Sequence, residues 1–224
     1  MSESRDMRKQ ELAANLEVVE DRIAKTLSDS NRVREEVTLV VVTKTFPPED
    51  AVLLYELGIR NFGENRDDEG AKKQPLLPAD ARWHFQGQVQ GRKIGSISEW
   101  ADVIHSLDSL DHASKFASAP SVASKEFFLQ INLEPEAEHR GGISKELIPQ
   151  FLEKSPVKIF GLMVVAPLSV NPSAAFKELS VLRDHYGLPG LSMGMSGDFE
   201  EALKAGATHI RVGSSILGSR PSLA

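Results

Sequence analysis

The chain has 224 residues, of which 41% are hydrophobic and 26% charged, an ordinary composition for one large globular domain or two small ones. The absence of cysteine excludes disulfide bonds and thiolate metal sites, and a net charge of −6 with intermixed acidic and basic residues argues against nucleic-acid binding. The polar N-terminus lacks a signal-peptide core and no apolar run could cross a bilayer, so we expect a cytoplasmic protein that binds neither nucleic acid nor membrane.

A helix is predicted over residues 8–28, where apolar side chains from Leu12 to Leu27 recur every three or four positions. The chain then alternates between strand and helix patterns. The first strand pattern is nearly continuous in β-branched residues, which is typical of a strand buried on both faces. The predicted strands are Thr38–Thr43, Ile59–Phe62, Arg82–Gln86, Val103–Leu107, Glu126–Asn132, Ile159–Val165, Gly190–Met193 and His209–Val212.

Helical patterns fill most of the gaps between these strands. Helices are predicted from Pro47 to Gly58, near 65–74, near 92–100, from Asn171 to about Tyr186, and from Asp198 to Gly206. Eight strands alternating with helices predict an α/β fold, a (β/α)8 TIM barrel with an extra N-terminal helix that plugs or flanks it. We expect a single domain over residues 1–224. A doubly wound open sheet is the alternative, which fewer real strands would favour.

Lys44 ends the first predicted strand, which is otherwise almost entirely apolar. The mouth of a barrel is where active sites lie. A lysine among apolar neighbours there should have a lowered pKa, and a neutral amine is what a Schiff base with an aldehyde requires. The alternative is a lysine that extends its charged end to solvent.

Two glycine-rich loops follow the last two predicted strands. One is 192–197, before the helix that begins near Asp198, and the other is 213–215, before a short helix. In barrels these two loops form the usual phosphate site, so the pair is more specific than either loop alone. Arg211 precedes the second loop and should lie near the ring of a phosphorylated ligand, unless it forms a salt bridge within the barrel.

Weaker candidates lie after other strands. Asn65 follows the second strand, and His84 lies on the third, where a hydrogen-bonded core histidine is the commoner alternative. Met163 and Met193 should face the barrel mouth and pack against a flat ring, although such methionines are more often core residues. The remaining histidines show no ligand spacing, so we predict no metal site.

Five segments together carry a family resemblance over residues 8–218. In order and spacing they resemble the pyridoxal phosphate homeostasis proteins. The segments are VVTKT around Lys44, NFGENR at 61–66, WHFQGQVQGRK at 83–93, GLMVVAP at 161–167 and LSMGMSGDFEEALKAGATHIRVGSSILG at 191–218.

The resemblance implies a fold like the N-terminal barrel of alanine racemase, with pyridoxal 5'-phosphate (PLP) as cofactor. It implies that Lys44 forms the Schiff base, that Ser196, Gly213 and Ser214 hold the phosphate, and that Arg211 faces the pyridine nitrogen. Asn65 and His84 would lie near the cofactor, and Met163 would contact its ring. Because an arginine does not give up its proton, the ring should stay a weak electron sink.

Two positions depart from the family pattern. Many members carry a second lysine two positions after the Schiff-base lysine, and this chain has Phe46 there, which puts any transfer role of that lysine in doubt. Many members also have asparagine where this chain has Arg92, and that change should matter little.

The resemblance implies PLP homeostasis without robust catalysis, with PLP-dependent apoenzymes as recipients. We expect a monomer, with a dimer as the alternative. The alternative is a PLP-dependent racemase or related enzyme. The sequence ends at Ala224 without the further β-domain that supplies a racemase's second acid or base, and Tyr55 and Tyr186 both lie in predicted helices. A class I aldolase would place its lysine on a late strand, whereas Lys44 ends the first.

Overall fold

The structure is a computed structural model that describes residues 2–134, 141–167, 169 and 171–219. The last five residues of the predicted domain, 220–224, lie outside this part, as does His139. The strands are β1 (Thr38–Val42), β2 (Asn61–Glu64), β3 (Arg82–Phe85), β4 (Val103–Leu107), β5 (Glu126–Gln130), β6 (Ile159–Met163), β7 (Gly190–Met195) and β8 (His209–Val212). The α-helices are α1 (Ser2–Asp29), α2 (Pro48–Glu56), α3 (Asp67–Lys73), α4 (Ile94–Trp100), α5 (Leu110–Ala117), α6 (Ile148–Lys154), α7 (Pro172–His185), α8 (Phe199–Lys204) and α9 (Ser214–Leu217).

The strands form a closed parallel barrel in chain order. Closure depends on the pairing of β1 with β8, in which Val40 lies opposite Arg211 and Val41 opposite Val212. The predicted (β/α)8 barrel is therefore confirmed. A doubly wound sheet has two open edges, so that alternative is wrong.

The second strand lies two residues later than its predicted bounds. It was expected at Ile59–Phe62 and runs over Asn61–Glu64. Gly58 has a φ of +97°, and the Ile59 N–H donates to the Leu54 carbonyl at 3.0 Å. Ile59 thus belongs to the glycine-terminated end of α2, because its backbone satisfies an orphan helix carbonyl.

Helix α1 lies outside the barrel, against α2, α8 and α9. It therefore flanks the barrel and does not plug it. Because α9 has only four residues, α1 covers the gap between β8 and β1 that a full last helix would cover. Arg8 joins these elements by donating to Asp50 at 2.7 Å and to the Leu217 carbonyl at 3.0 Å.

Side chains alternate between two environments along the strands. Outward-facing residues pack against the helices in the large apolar core. A small apolar cluster of Val103, Phe128 and Met163 is separate from it. Polar side chains are also buried around the barrel axis, including His84, His105, Ser192, His209 and Arg211. Within the described residues, no helix is long and apolar enough to pass through a bilayer.

The Arg8→Leu variant should lose about 2 to 3 kcal/mol of unfolding free energy, because Asp50 would stay buried without its cation. Urea denaturation followed by circular dichroism measures this loss. Arg5→Leu is the matched control, because the Arg5–Glu56 pair lies at the surface, where solvent screens the charges, and its loss should be much smaller. Equal losses in the two variants would contradict a special role for Arg8.

Candidate functional site

A cavity of about 310 Å³ opens at the carboxyl ends of the strands. Such a cavity is at the small end of the size range of ligand sites in proteins. Its wall contains all the predicted site residues except His84 and Met193, namely Lys44, Asn65, Met163, Ser196, Arg211, Gly213 and Ser214. Barrel closure therefore brings residues from both ends of the sequence to one rim.

The wall also contains residues that the sequence analysis missed. Among them are Phe46, Gln86 and Met195. Phe46 is buried, and the Arg8 guanidinium lies 6.0 Å from its ring centroid. Where many family members have their second lysine, this chain thus has an aromatic residue in the cavity wall.

Gln86 presents an amide to the cavity. Its Nε2 atom is buried and has no hydrogen-bond partner among the described residues. The alternation of side chains along a strand could have predicted this position. Gln86 lies two residues after His84 and therefore on the same, inward face. An unpaired buried donor is costly unless a ligand accepts from it.

Met193 does not line the cavity. It packs in the large core, because Ser192 occupies the inward-facing position of β7. Gly194 has a φ of +89°, and the pairing register of β7 with β8 shifts between Ser192 and Met195. This break in alternation turns Met195 toward the cavity.

The backbone on both sides of Lys44 is held by a buried ionic cluster. Lys73, on α3, donates to the Thr43 carbonyl at 2.8 Å and to Glu64 at 2.7 Å. The Thr43 hydroxyl donates to the same Glu64 oxygen at 2.6 Å. Burial raises the pKa of Glu64, and the neighbouring Lys73 ammonium opposes this rise. The strand end before Lys44 is therefore anchored to β2 and α3.

The residue after Lys44 is anchored as well. Thr45 has a φ of +67°, which is unusual for a β-branched residue, and its N–H donates to Glu69 at 2.6 Å. That bond offsets part of the cost of the left-handed conformation. Lys44, half-buried in the cavity wall, thus extends from a backbone fixed before and after it.

The two glycine-rich loops are tied together by Ser196. Its hydroxyl accepts from the N–H of Gly213 at 3.2 Å and from the N–H of Ser215 at 3.4 Å. A Cβ at position 213 would lie 3.1 Å from the Val42 carbonyl oxygen, so glycine lets β1 approach the loop closely. Asp198 directly precedes α8, and its side chain accepts from the Met195 N–H and not from a helix amide.

Arg211 is a buried residue that lines the cavity. Its two terminal nitrogens donate to the Ser192 hydroxyl at 2.6 Å and to the Val164 carbonyl at 2.9 Å. No carboxylate forms a salt bridge with it in the part of the chain that the structure describes, where its partners are a hydroxyl and a carbonyl. Burial lowers the pKa of Arg211 to about 10, and the side chain stays cationic at neutral pH.

His84 lies inside the barrel and not in the cavity wall. Its ring is hydrogen-bonded to His105 at 2.8 Å and to Asn61 at 3.0 Å. It is therefore the hydrogen-bonded core histidine that the sequence left as an alternative. Among the described residues, no group of three or more potential ligand side chains could hold a metal ion.

The sequence matches the family model for the N-terminal domain of alanine racemase over residues 10–221. It is 37% identical to the pyridoxal phosphate homeostasis protein of Corynebacterium glutamicum, over 89% of this chain and 98% of that protein. This chain belongs to the pyridoxal phosphate homeostasis protein family. The homologue of Mycobacterium leprae is 33% identical over 94% of this chain and 93% of its own length. The predicted family is thus confirmed.

Solved structures of family members and of relatives agree with the fold. PipY of Synechococcus elongatus, in a structure with PLP bound, is 32% identical, covers 88% of this chain and all of its own, and has a TM-score of 0.72. An alanine racemase from Corynebacterium glutamicum is 14% identical with a TM-score of 0.65, and this chain covers 60% of it. That second likeness supports the barrel fold alone.

Lys73→Met should lose about 3 kcal/mol or more of unfolding free energy, because Glu64 would stay buried without a cation. The neighbouring Lys72→Met is the matched control, since Lys72 is exposed and its loss should stay within about 0.5 kcal/mol. Adding Glu64→Leu to Lys73→Met should recover most of the loss, which chemical denaturation can measure. A double variant as unstable as Lys73→Met would contradict the pairing.

Unfolding free energy should fall as the pH drops from 7 to 5. Burial lowers the pKa of His209 to about 4 and also depresses the pKa values of His84 and His105. Below pH 6.5 the unfolded chain binds more protons than the folded one, so stability present above pH 6.5 is progressively lost. Each histidine contributes up to about 1.4 kcal/mol per pH unit.

The His209→Asn variant should lose about 1 to 2 kcal/mol less than the unmodified protein between pH 7 and pH 5. Urea titrations at both pH values measure the difference. His185→Gln is the control, because it removes an exposed histidine and leaves the three buried histidines in place. An unaltered slope in His209→Asn would show that His209 does not contribute.

Proposed function

We propose that this chain binds PLP reversibly as a Schiff base on Lys44 and serves intracellular PLP homeostasis without robust catalysis. The observation that carries the proposal is the convergence of an anchored lysine, a buried arginine and two joined glycine-rich loops on one cavity. A phosphorylated aromatic aldehyde needs these three kinds of group. Family membership and the PLP-bound PipY structure support the same cofactor.

The residues of the cavity fit PLP. Ser196, Gly213 and Ser214 would hold the phosphate at the loops that usually bind phosphate in barrels. Met163 and Phe46 would pack against the ring, and Asn65 and Gln86 would offer amides to its polar substituents. Bound PLP supplies an aldehyde that condenses with an amine with loss of water.

Arg211 would face the pyridine nitrogen as a hydrogen-bond donor. Its pKa of about 10 keeps the guanidinium charged, so it would not pass its proton to the ring. An unprotonated ring withdraws electrons weakly, which would restrain reactions at a bound amino acid. This electronic restraint supports a binding protein over an enzyme.

The cavity wall supports the same distinction. Apart from Lys44 and Arg211, the described residues of the wall include no acidic or basic side chain. Tyr55 donates to Asp80 on the outside of the barrel, and Tyr186 follows α7. Neither tyrosine lines the cavity, so neither supplies the second acid or base that a racemase uses.

We further propose that the protein is cytoplasmic, works as a monomer, binds neither nucleic acid nor membrane, and delivers PLP to apoenzymes. The cysteine-free composition and mixed charge support the compartment and the exclusion of nucleic acid. The closed barrel leaves no sheet edge for pairing with a second copy, which supports a monomer. We propose no metal site.

Purified protein incubated with PLP should develop a yellow absorbance band, which borohydride should bleach while fixing the label on the peptide that contains Lys44. Lys44→Ala should lose the band and the label. Lys154→Ala is the control, because Lys154 is exposed on α6, and it should behave like the unmodified protein. Racemisation assays across amino acids should give no turnover that depends on Lys44.

A protein that stays colourless with PLP would overturn the proposed cofactor. Labelling elsewhere than Lys44 would overturn the proposed site. Robust Lys44-dependent racemisation would overturn the homeostasis role and favour the enzyme.

A further inference from the structure

A continuous file of hydrogen-bonded polar side chains runs through the barrel beneath the cavity. Arg211 donates to the Ser192 hydroxyl at 2.6 Å, and that hydroxyl lies 2.7 Å from Nδ1 of His105. Nε2 of His105 lies 2.8 Å from Nδ1 of His84, and Nε2 of His84 lies 3.0 Å from Oδ1 of Asn61. The file therefore links the cavity floor to the start of β2.

The donors and acceptors at the two ends of the file allow two directions, which differ in the tautomers of the histidines. Arg211 has only donors, so the Ser192 oxygen must accept from it. If the hydroxyl then donates to His105, each histidine is neutral and protonated at Nε2, and the last donor meets the Asn61 carbonyl. In the reverse direction Ser192 would accept from two donors, Asn61 would have to present its NH2 group, and both histidines would be protonated at Nδ1.

The surrounding charges favour neutral rings. The cations that face the two histidines are Arg82 and Arg211, and His209 is the third titratable neighbour. Arg82 is paired with Glu126 at 2.8 Å, and Asp198 is the acidic residue that acts on Arg211. No carboxylate in the described residues forms an ion pair with His84 or His105, so burial disfavours a proton on either.

His105 is also fixed as a ring. It stacks on Phe128 with centroids 4.7 Å apart and planes 12° from parallel. A fixed ring with both nitrogens engaged holds the Ser192 hydroxyl in one orientation. The dipoles of the file then present their negative ends toward Arg211, which stabilises its charge without a carboxylate.

We propose that Ser192 and His105 are positioning residues that hold the Arg211 guanidinium charged and directed at the cavity, through a one-way file of donors ending on Asn61. For its effect on PLP, the proposal rests on the function proposed above. The file itself does not depend on any ligand. This difference allows two separate tests.

The first test uses the protein without added ligand. Nitrogen-15 NMR of the imidazole rings between pH 5.5 and pH 8 should show His84 and His105 neutral and protonated at Nε2 throughout. His84→Gln and His105→Gln variants assign the signals. Protonation at Nδ1, or a charged ring in this pH range, would overturn the one-way file.

The second test measures PLP binding by absorbance titration. Ser192→Ala should weaken binding about tenfold and alter the absorption maximum of the bound cofactor, because the guanidinium loses a charge-assisted hydrogen bond. Ser192→Thr keeps the hydroxyl and should stay within about twofold of the unmodified protein. Circular dichroism verifies that each variant is folded.

The outcomes separate the two proposals. If the unmodified protein does not bind PLP, the proposed function fails while the NMR result still decides the file. If it binds PLP but folded Ser192→Ala matches it in affinity and spectrum, the positioning role fails while the proposed function stands. If Ser192→Thr is as weak as Ser192→Ala, the hydroxyl is not what positions Arg211.

Discussion

The site depends on one constraint, the pairing of β1 with β8 that closes the barrel. That pairing places Val40 opposite Arg211 and Val41 opposite Val212. The segment that carries Lys44 therefore emerges beside the loop of Gly213, although the two are far apart in sequence. The absence of a side chain at 213 completes the approach, because a Cβ there would lie 3.1 Å from the Val42 carbonyl oxygen.

Two buried cations near the site are stabilised in different ways. Lys73 is paired with Glu64 and donates to the backbone before Lys44, so its charge is compensated by groups of the protein itself. Arg211 is held by a hydroxyl and a carbonyl, and neutral dipoles stabilise its charge. A cation solvated by dipoles keeps its charge available to a ligand's acceptor, whereas an ion pair largely neutralises it. The same barrel thus supports a rigid lysine and a guanidinium directed at the cavity.

Much of the fold followed from local patterns. The alternation of strand and helix patterns predicted the barrel, and all eight predicted strands overlap real ones. The error in β2 arose because Ile59 is apolar and follows glycine, while its backbone completes the end of α2. The error at Met193 arose because Met193 directly follows the inward-facing Ser192 on β7 and therefore points outward into the core. In both cases the position of the residue followed from the backbone geometry and not from the type of its side chain.

The sequence by itself determined the rim of the site, because Lys44, Ser196, Gly213 and Ser214 lie in local strand-to-loop patterns whose position in a barrel is set by the fold class. Only the tertiary structure decided what lies beneath the rim. The contact of His105 with Ser192 joins side chains 87 positions apart, and no local pattern encodes it. Strand alternation indicates that a residue points inward, but which residues meet across the axis depends on the register with which the barrel closes.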